Sequence, residues 1–369
     1  MVETGERNPR VGRPDAQRSG SKALPRLGRP HRGRVRRREC DGTVAQALTP
    51  CPEARRAFPA TSPHVPQRYV AVVSGPEGLR RDCPLPTGAR PCRPRIGCAE
   101  IEEADVKSQF DTAVAAYEQS VEEMPFREHI EAYSFLRAVG GVTGRDVLDL
   151  GCGSGAYARR LRREGAARAV GMDESTAMVE YARRREERER LGVEYLAVDA
   201  SEPTSLASTE LDGQFDVVTA VYVLPYAPTL AALAAFCATA RRALRERGGR
   251  FVAAVLNPGF SPDPQYYLPH GMRLSARRPR REGSSGHMTA WVGQEVLDVD
   301  FFCWSAAAHE QALRAAGFHR ISWIRPEVSE KGREEYGEGY WADYLSCPHA
   351  LIIQAEAGPR VDPSAPDTQ

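Results

Sequence analysis

Three aspartates and one glycine turn hold most of the chemistry in this sequence. Asp149 stands two residues before Gly151-Cys152-Gly153-Ser154-Gly155-Ala156, Asp173 lies in Gly-Met-Asp-Glu-Ser, and Asp199 in Val-Asp-Ala-Ser. Glycines after a strand let the backbone approach a ligand closely, at the amino end of the next helix. Read as letters, the turn fits two ligands: the pyrophosphate of a dinucleotide, or S-adenosylmethionine. A pyrophosphate wants positive potential, and Asp149 places a carboxylate there. That carboxylate would attract an ammonium and a sulfonium instead. Asp173 can accept ribose hydroxyls from either ligand. Asp199 can accept from an adenine amino group. Together the three acids outline one adenosyl ligand from its methionine end to its base.

Such tips require strands that end there. Val147–Leu150, Ala167–Met172, Val193–Val198, Phe215–Val223 and Gly249–Leu256 are short, near-continuous apolar runs. Helical patterns over Ala156–Glu164, Ser175–Arg190 and Thr229–Arg245 alternate with them. Apolar strands between helices imply an α/β fold with a doubly wound parallel sheet, ligands lying beyond the carboxyl ends of its strands. Two helices are predicted ahead of the sheet, Val106–Val121 and Pro125–Gly140, the second with Pro at its start. Residues 257–303 break the alternation and read as an antiparallel insertion, with two strands in His287–Trp304. A helix, Ser305–Phe318, and two strands, His319–Ile324 and His349–Glu356, complete the domain, expected over 101–357.

At this point the chain resembles a known family. VLDLGCGSG, GMDES, VEYLAVDAS, FDVVTAVYVL and RERGGRFV are similar to the successive motifs of class I S-adenosylmethionine-dependent methyltransferases. The resemblance implies a Rossmann-like seven-stranded sheet, order 3-2-1-4-5-7-6 with strand 7 antiparallel, and HALIIQAE as that last strand. It implies that Asp149, Gly151, Gly153 and Gly155 cradle the methionine part, that Asp173 binds the ribose, and that Asp199 and Ala200 flank the adenine. Val221 and Tyr222 would line the sulfonium. A narrower likeness, in Tyr117…Pro125-Phe126-Arg127, FFCWS and EYGEGYWADY, is to bacterial secondary-metabolite enzymes of the toxoflavin type. It implies a small-molecule acceptor, aromatic or amino-acid-derived, methylated on O, N or C. Tyr117 and Arg127 would close over the methionine carboxylate as part of an amino-terminal helical lid.

Catalysis asks little of the protein, because a sulfonium is already activated and alignment supplies much of the rate. Where a proton must leave, His270 is the leading base candidate, with His129 and His309 behind it and Tyr222 at the strand-four tip. Tyr117, Tyr222, Tyr226, Trp304, Tyr340 and Trp341 are candidates for an aromatic acceptor pocket. No metal-ligand cluster is evident, and S-adenosyl-L-methionine is the one cofactor expected.

Composition sets the frame. The 369 residues carry a net charge of +1, which hides an asymmetry: residues 1–100 hold 20 Lys or Arg against 9 Asp or Glu. That segment reads as a disordered Arg/Pro-rich extension, or as the product of a start codon placed too early. A nucleic-acid arm is disfavoured, since no aromatics interleave the basic block. Residues 358–369 read as a disordered tail. No long apolar run predicts a membrane span, and no signal-peptide core is present, so a cytoplasmic monomer or homodimer is expected. Cys152, Cys237, Cys303 and Cys347 read as reduced small residues. The rival readings are a non-catalytic adenosyl-binding or regulatory module and an RNA, DNA or protein methyltransferase.

Overall fold

The computed structural model describes residues 109–358 except 204, 205, 207–209 and 247. The basic segment 1–100 and the tail beyond Gly358 lie outside them.

Five apolar runs pair side by side: β1 (Asp146–Leu150), β2 (Arg168–Asp173), β3 (Val193–Ala197), β4 (Val217–Val221) and β5 (Arg250–Leu256). All four pairings are parallel. Parallel neighbours need long crossovers, usually helices. Helices α1 (Val114–Glu123) and α2 (Tyr133–Val139) precede the sheet. Helices α3 (Ala156–Arg163), α4 (Thr176–Glu189) and α5 (Leu230–Ala243) make crossovers. Ser175 and Thr229 cap α4 and α5, their hydroxyls accepting the N–H of Met178 and Ala232, which satisfies donors a helix start leaves free.

Past β5 come β6 (Met272–Ala276), β7 (Ser284–Val292) and β8 (Glu295–Cys303), an antiparallel sheet of their own. Then follow α6 (Ala306–Ala315), β9 (Phe318–Ile324), α7 (Glu330–Tyr336), α8 (Glu338–Ser346) and β10 (Ala350–Ala357). Strand β10 runs antiparallel between β5 and β9, giving the order β3-β2-β1-β4-β5-β10-β9. This is the seven-stranded arrangement that the motifs implied.

Successive side chains of a strand face opposite ways. Leu148 and Leu150 of β1 pack with Leu233 and Cys237 of α5 and Leu313 of α6. Val147 packs on the other face with Phe135 of α2 and Leu161 of α3. Both faces are covered, which explains why the strands read as continuous apolar runs.

The elements depart from the sequence reading in four places, and one cysteine departs as well. Of the expected helix Val106–Val121, residues 106–108 lie outside the described residues, and the helix there begins at Val114. The second winds as a π-helix over Arg127–Ala132 before α2. The insertion has a third strand, β6, too short and too polar to stand out. Two helices, α7 and α8, fill the gap before β10. Cys152, Cys237 and Cys303 are free and buried, but Cys347 is disulfide-bonded, against the expectation that it is reduced. Among the described residues no helix is long and apolar enough to cross a membrane.

Candidate active site

A cavity of about 140 Å³ opens beyond the carboxyl ends of β1 to β4, walled by α1 and the inserted sheet. Gly151 and Gly153 form part of its floor. Gly151 has φ +60°, and a Cβ there would come within 2.3 Å of Val223 Cγ2. Gly155 does not line the cavity; it sits at φ +81° as the N-cap of α3, where a Cβ would fall 2.4 Å from Tyr195 Oη. Only glycine fits either position.

Asp173 and Asp199 both line the cavity. The Asp173 carboxylate accepts the N–H of Gly153 at 2.8 Å and of Ser175 at 2.9 Å. Strand tip, glycine turn and α4 cap are thus tied together through one side chain. Each oxygen keeps a further lone pair. Asp199 accepts from the Ser201 N–H and hydroxyl at 2.7 and 2.6 Å. Ala200 lies beside it on the cavity wall. A residue the sequence did not single out, Asp111, accepts from the Ser175 hydroxyl at 2.6 Å and so fastens the segment before α1 to the end of β2.

Asp149 does not line the cavity. Period two places it on the Val147 face of β1, beneath α3. There it accepts from Thr219 Oγ1, its partner in β4, at 2.8 Å, and from the Ala158 N–H. These bonds tie β1 to β4 and to the first turn of α3, and Asp149 is not the cavity contact that the sequence suggested. Burial pushes its carboxyl up to about 7. The native state therefore holds this proton up to near neutrality while the unfolded chain releases it near the ordinary carboxyl value. The associated stability is present at low pH and is lost as pH rises toward 7. Asp149→Asn is expected to remove that part of the slope. Paired urea titrations at pH 5 and 8 check it; an unchanged difference between the two pH values would refute the assignment.

Arg127 is 9% exposed and lines the cavity. Its Nε lies 3.4 Å from Glu131 Oε1, and its guanidinium sits 5.3 Å from the Tyr117 ring centre. Burial works against the charge, but Glu131 holds the pKa above its ordinary value. Its Nη2 finds no hydrogen-bond acceptor. A buried donor left over on a cavity wall is costly unless a ligand completes it, and a carboxylate is the natural partner. Tyr117 lines the same wall.

The other end of the cavity is apolar. Met272, Leu274, Met288, Leu297, Val299 and Phe301 of the inserted sheet face it. Val221 and Tyr222 stand at the tip of β4. Tyr222 adopts φ +58°, a conformation that bulky residues rarely take. Its hydroxyl bonds Glu131 Oε2 at 2.7 Å and His349 Nε2 at 3.0 Å. Glu131 and His349 had no sequence signal: both come from segments that sequence reading treats as ordinary helix and strand.

His270 is not brought to the cavity. It is buried in an aromatic block, stacked on Trp341 at 5.9 Å and edged by Tyr340 and Tyr344. Burial lowers its pKa to about 3, so it does not act as the cavity's base. His129 bonds Ser329, and His309 bonds the Ser305 carbonyl, both away from the cavity. Of the six aromatic candidates, Tyr117, Tyr222 and Tyr226 line it. Trp304, Tyr340 and Trp341 serve packing; the Trp304 indole donates to the Ala227 carbonyl. Among the described residues no group of three His, Cys, Asp or Glu is placed to hold a metal ion.

Comparison with known proteins agrees with this geometry. The family described as "Methyltransferase domain" matches residues 147–248. The chain is 32% identical over 130 residues to the ubiquinone biosynthesis O-methyltransferase of Acinetobacter baylyi, covering 35% of this chain and 49% of that protein. It is 30% identical over 128 residues to the Pseudomonas aeruginosa protein of the same name, covering 35% and 50%. The chain thus spans about half the length of the curated relatives it matches. Among solved structures, the CcbJ methyltransferase of Streptomyces caelestis is 18% identical, with a TM-score of 0.48 over 70% of this chain and all (100%) of that one. A Mesorhizobium loti S-adenosylmethionine-dependent methyltransferase is 19% identical, with a TM-score of 0.44 over 64% and 99%.

Proposed function

We propose that this chain, whose residues 147–248 form a class I S-adenosylmethionine-dependent methyltransferase domain, transfers a methyl group from that donor to a hydroxyl on a small, largely apolar acceptor. One observation carries the reading. Gly151, Gly153, Asp173, Asp199 and Arg127 line a single cavity, with Arg127 Nη2 left without an acceptor. Carboxylates for ribose hydroxyls and an adenine amino group, a glycine floor, and a cation for a carboxylate suit the ribose, the base and the carboxylate of S-adenosylmethionine. The bound donor supplies an activated methyl group, displaced in line from its sulfur. The chain's own residues align the two substrates and exclude water.

The acceptor reading rests on the wall of methionines, leucines and Phe301. Thioethers and branched side chains suit a flat apolar ring. Tyr222 is the polar group placed at the strand tip beside it. The printed names of the Acinetobacter and Pseudomonas relatives specify O-methyl transfer, which favours oxygen over nitrogen or carbon. Resemblance in the lid segments favours an acceptor from bacterial secondary metabolism.

Calorimetry with S-adenosylmethionine and S-adenosylhomocysteine tests the donor assignment. Asp173→Ala is expected to weaken both by ~1–3 kcal/mol, since charge-assisted bonds are lost. A wild-type chain that binds neither sinks the reading.

A further inference from the structure

Resting on the methyl-transfer reading, we propose that Tyr222 and Glu131 form a proton relay that draws the acceptor's hydroxyl proton out of the cavity into the wall behind it. Counting hydrogens gives the direction. Glu131 receives Tyr157 Oη on Oε1 and Tyr222 Oη on Oε2, each at 2.7 Å. A phenol has one hydrogen, and Tyr222 gives it to Glu131. Tyr222 Oη therefore meets His349 as an acceptor, and Nε2, at 3.0 Å, carries the imidazole hydrogen. Burial, with Arg127 and His270 nearby, keeps His349 neutral. Its Nδ1 is then bare and accepts the Tyr344 hydroxyl at 2.7 Å. Every hydrogen in the row Tyr344, His349, Tyr222 points toward Glu131.

Two consequences follow. His349 lines the cavity but has no basic nitrogen to offer, because both are engaged. Tyr222 lines the cavity and keeps one lone pair, while Glu131 lies behind it, 7% exposed. The groups that face Glu131 are Arg127 from its own π-helix, Tyr157 from α3 and Tyr222 after β4, with Tyr117 of α1 and Tyr344 of α8 further out. Arg127 is the cation among them, its Nε 3.4 Å from Glu131 Oε1. The φ of +58° at Tyr222 is the backbone cost of aiming a phenol both at the acceptor and at Glu131.

The step balances. The acceptor O–H proton moves to Tyr222 Oη while the Tyr222 proton moves to Glu131 Oε2. The acceptor oxygen forms its bond to the methyl carbon as the carbon–sulfur bond breaks, and the sulfur keeps that electron pair. Glu131 ends protonated, and after product leaves the proton returns through Tyr222 to water in the emptied cavity. In this scheme Tyr222 is the catalytic residue, and His349 and Tyr344 are positioning residues.

Two measurements test the relay on the full chain. With nitrogen-15 histidine labelling, the His349 signals, assigned by their loss in His349→Gln, are expected to report a neutral ring with hydrogen on Nε2. A ring with hydrogen on Nδ1, or a charged one, reverses the row and overturns the proposal whatever the acceptor. The second, run near pH 8.5, uses two probe acceptors: 4-nitrophenol, largely ionised there, and 4-ethylphenol, which is not. Tyr222→Phe is expected to slow 4-ethylphenol by ~10²-fold and 4-nitrophenol at least tenfold less, since only the first needs its proton removed. Glu131→Gln is expected to show the same split. Equal slowing of both probes, with donor binding intact by calorimetry, overturns the relay alone. Loss of donor binding in the wild type overturns the methyl-transfer reading instead.

Discussion

Arg127→Met is expected to destabilise the fold by ~3–5 kcal/mol, because it leaves the buried Glu131 carboxylate without its cation. Arg127 and Glu131 lie one turn apart in a π-helix, both nearly sealed from solvent. The same change is expected to weaken the donor by ~1–3 kcal/mol, as the guanidinium is the group on the cavity wall with a donor to spare for a carboxylate. The double variant Arg127→Met/Glu131→Gln separates the two effects. Removing the stranded charge is expected to recover much of the stability and none of the donor affinity. Urea midpoints and calorimetry on the wild type, the single variant and the double variant make the comparison. A double variant that binds S-adenosylhomocysteine like wild type would show that Arg127 serves the fold alone.

Trp341→Ala is expected to cost ~3–5 kcal/mol through a cavity that the aromatic block cannot close. The indole is fully buried on α8, donates to the Gly332 carbonyl at 2.8 Å, and stacks flat on His270. Its loss removes that hydrogen bond beside an imidazole whose Nδ1 already has no partner. Urea unfolding at constant m reads the change. Donor affinity of the folded variant is expected to match wild type, because Trp341 does not line the cavity. A fall in affinity would mean that this block also sets the position of the lid.

The donor half of the site was legible because its signals are local. Each acid stands at the end of an apolar run, and each glycine stands where a helix begins. A residue's place at a strand tip is decided within a few positions of the chain, so Asp173, Asp199, Gly151 and Gly153 could be read from letters and then found lining one cavity. Asp149 was read too directly, although the same period-two rule that makes a strand places it on the Val147 face, under α3. Charge at the right sequence distance is not charge at the right surface.

His270 shows the limit from the other side. Its position in the inserted segment made it the favoured base, yet packing with Tyr340, Trp341 and Tyr344 keeps it neutral and away from the ligand. Glu131 and His349 met at Tyr222 without any motif announcing them. One lies where a helix widens into a π-helical stretch, the other just before the last strand.

The letters alone carried the alternation of strands and helices and the acids and glycines at the strand tips, and the family resemblance carried the order of the sheet. Periodicity and turn chemistry are set by neighbouring residues, and these survive in a string of letters. Tertiary structure alone decided which polar side chains share a wall, which histidine is sealed in aromatic packing, and which way hydrogens run toward Glu131. Those depend on segments distant in the chain being folded together, and on burial that leaves each buried proton a single place to point.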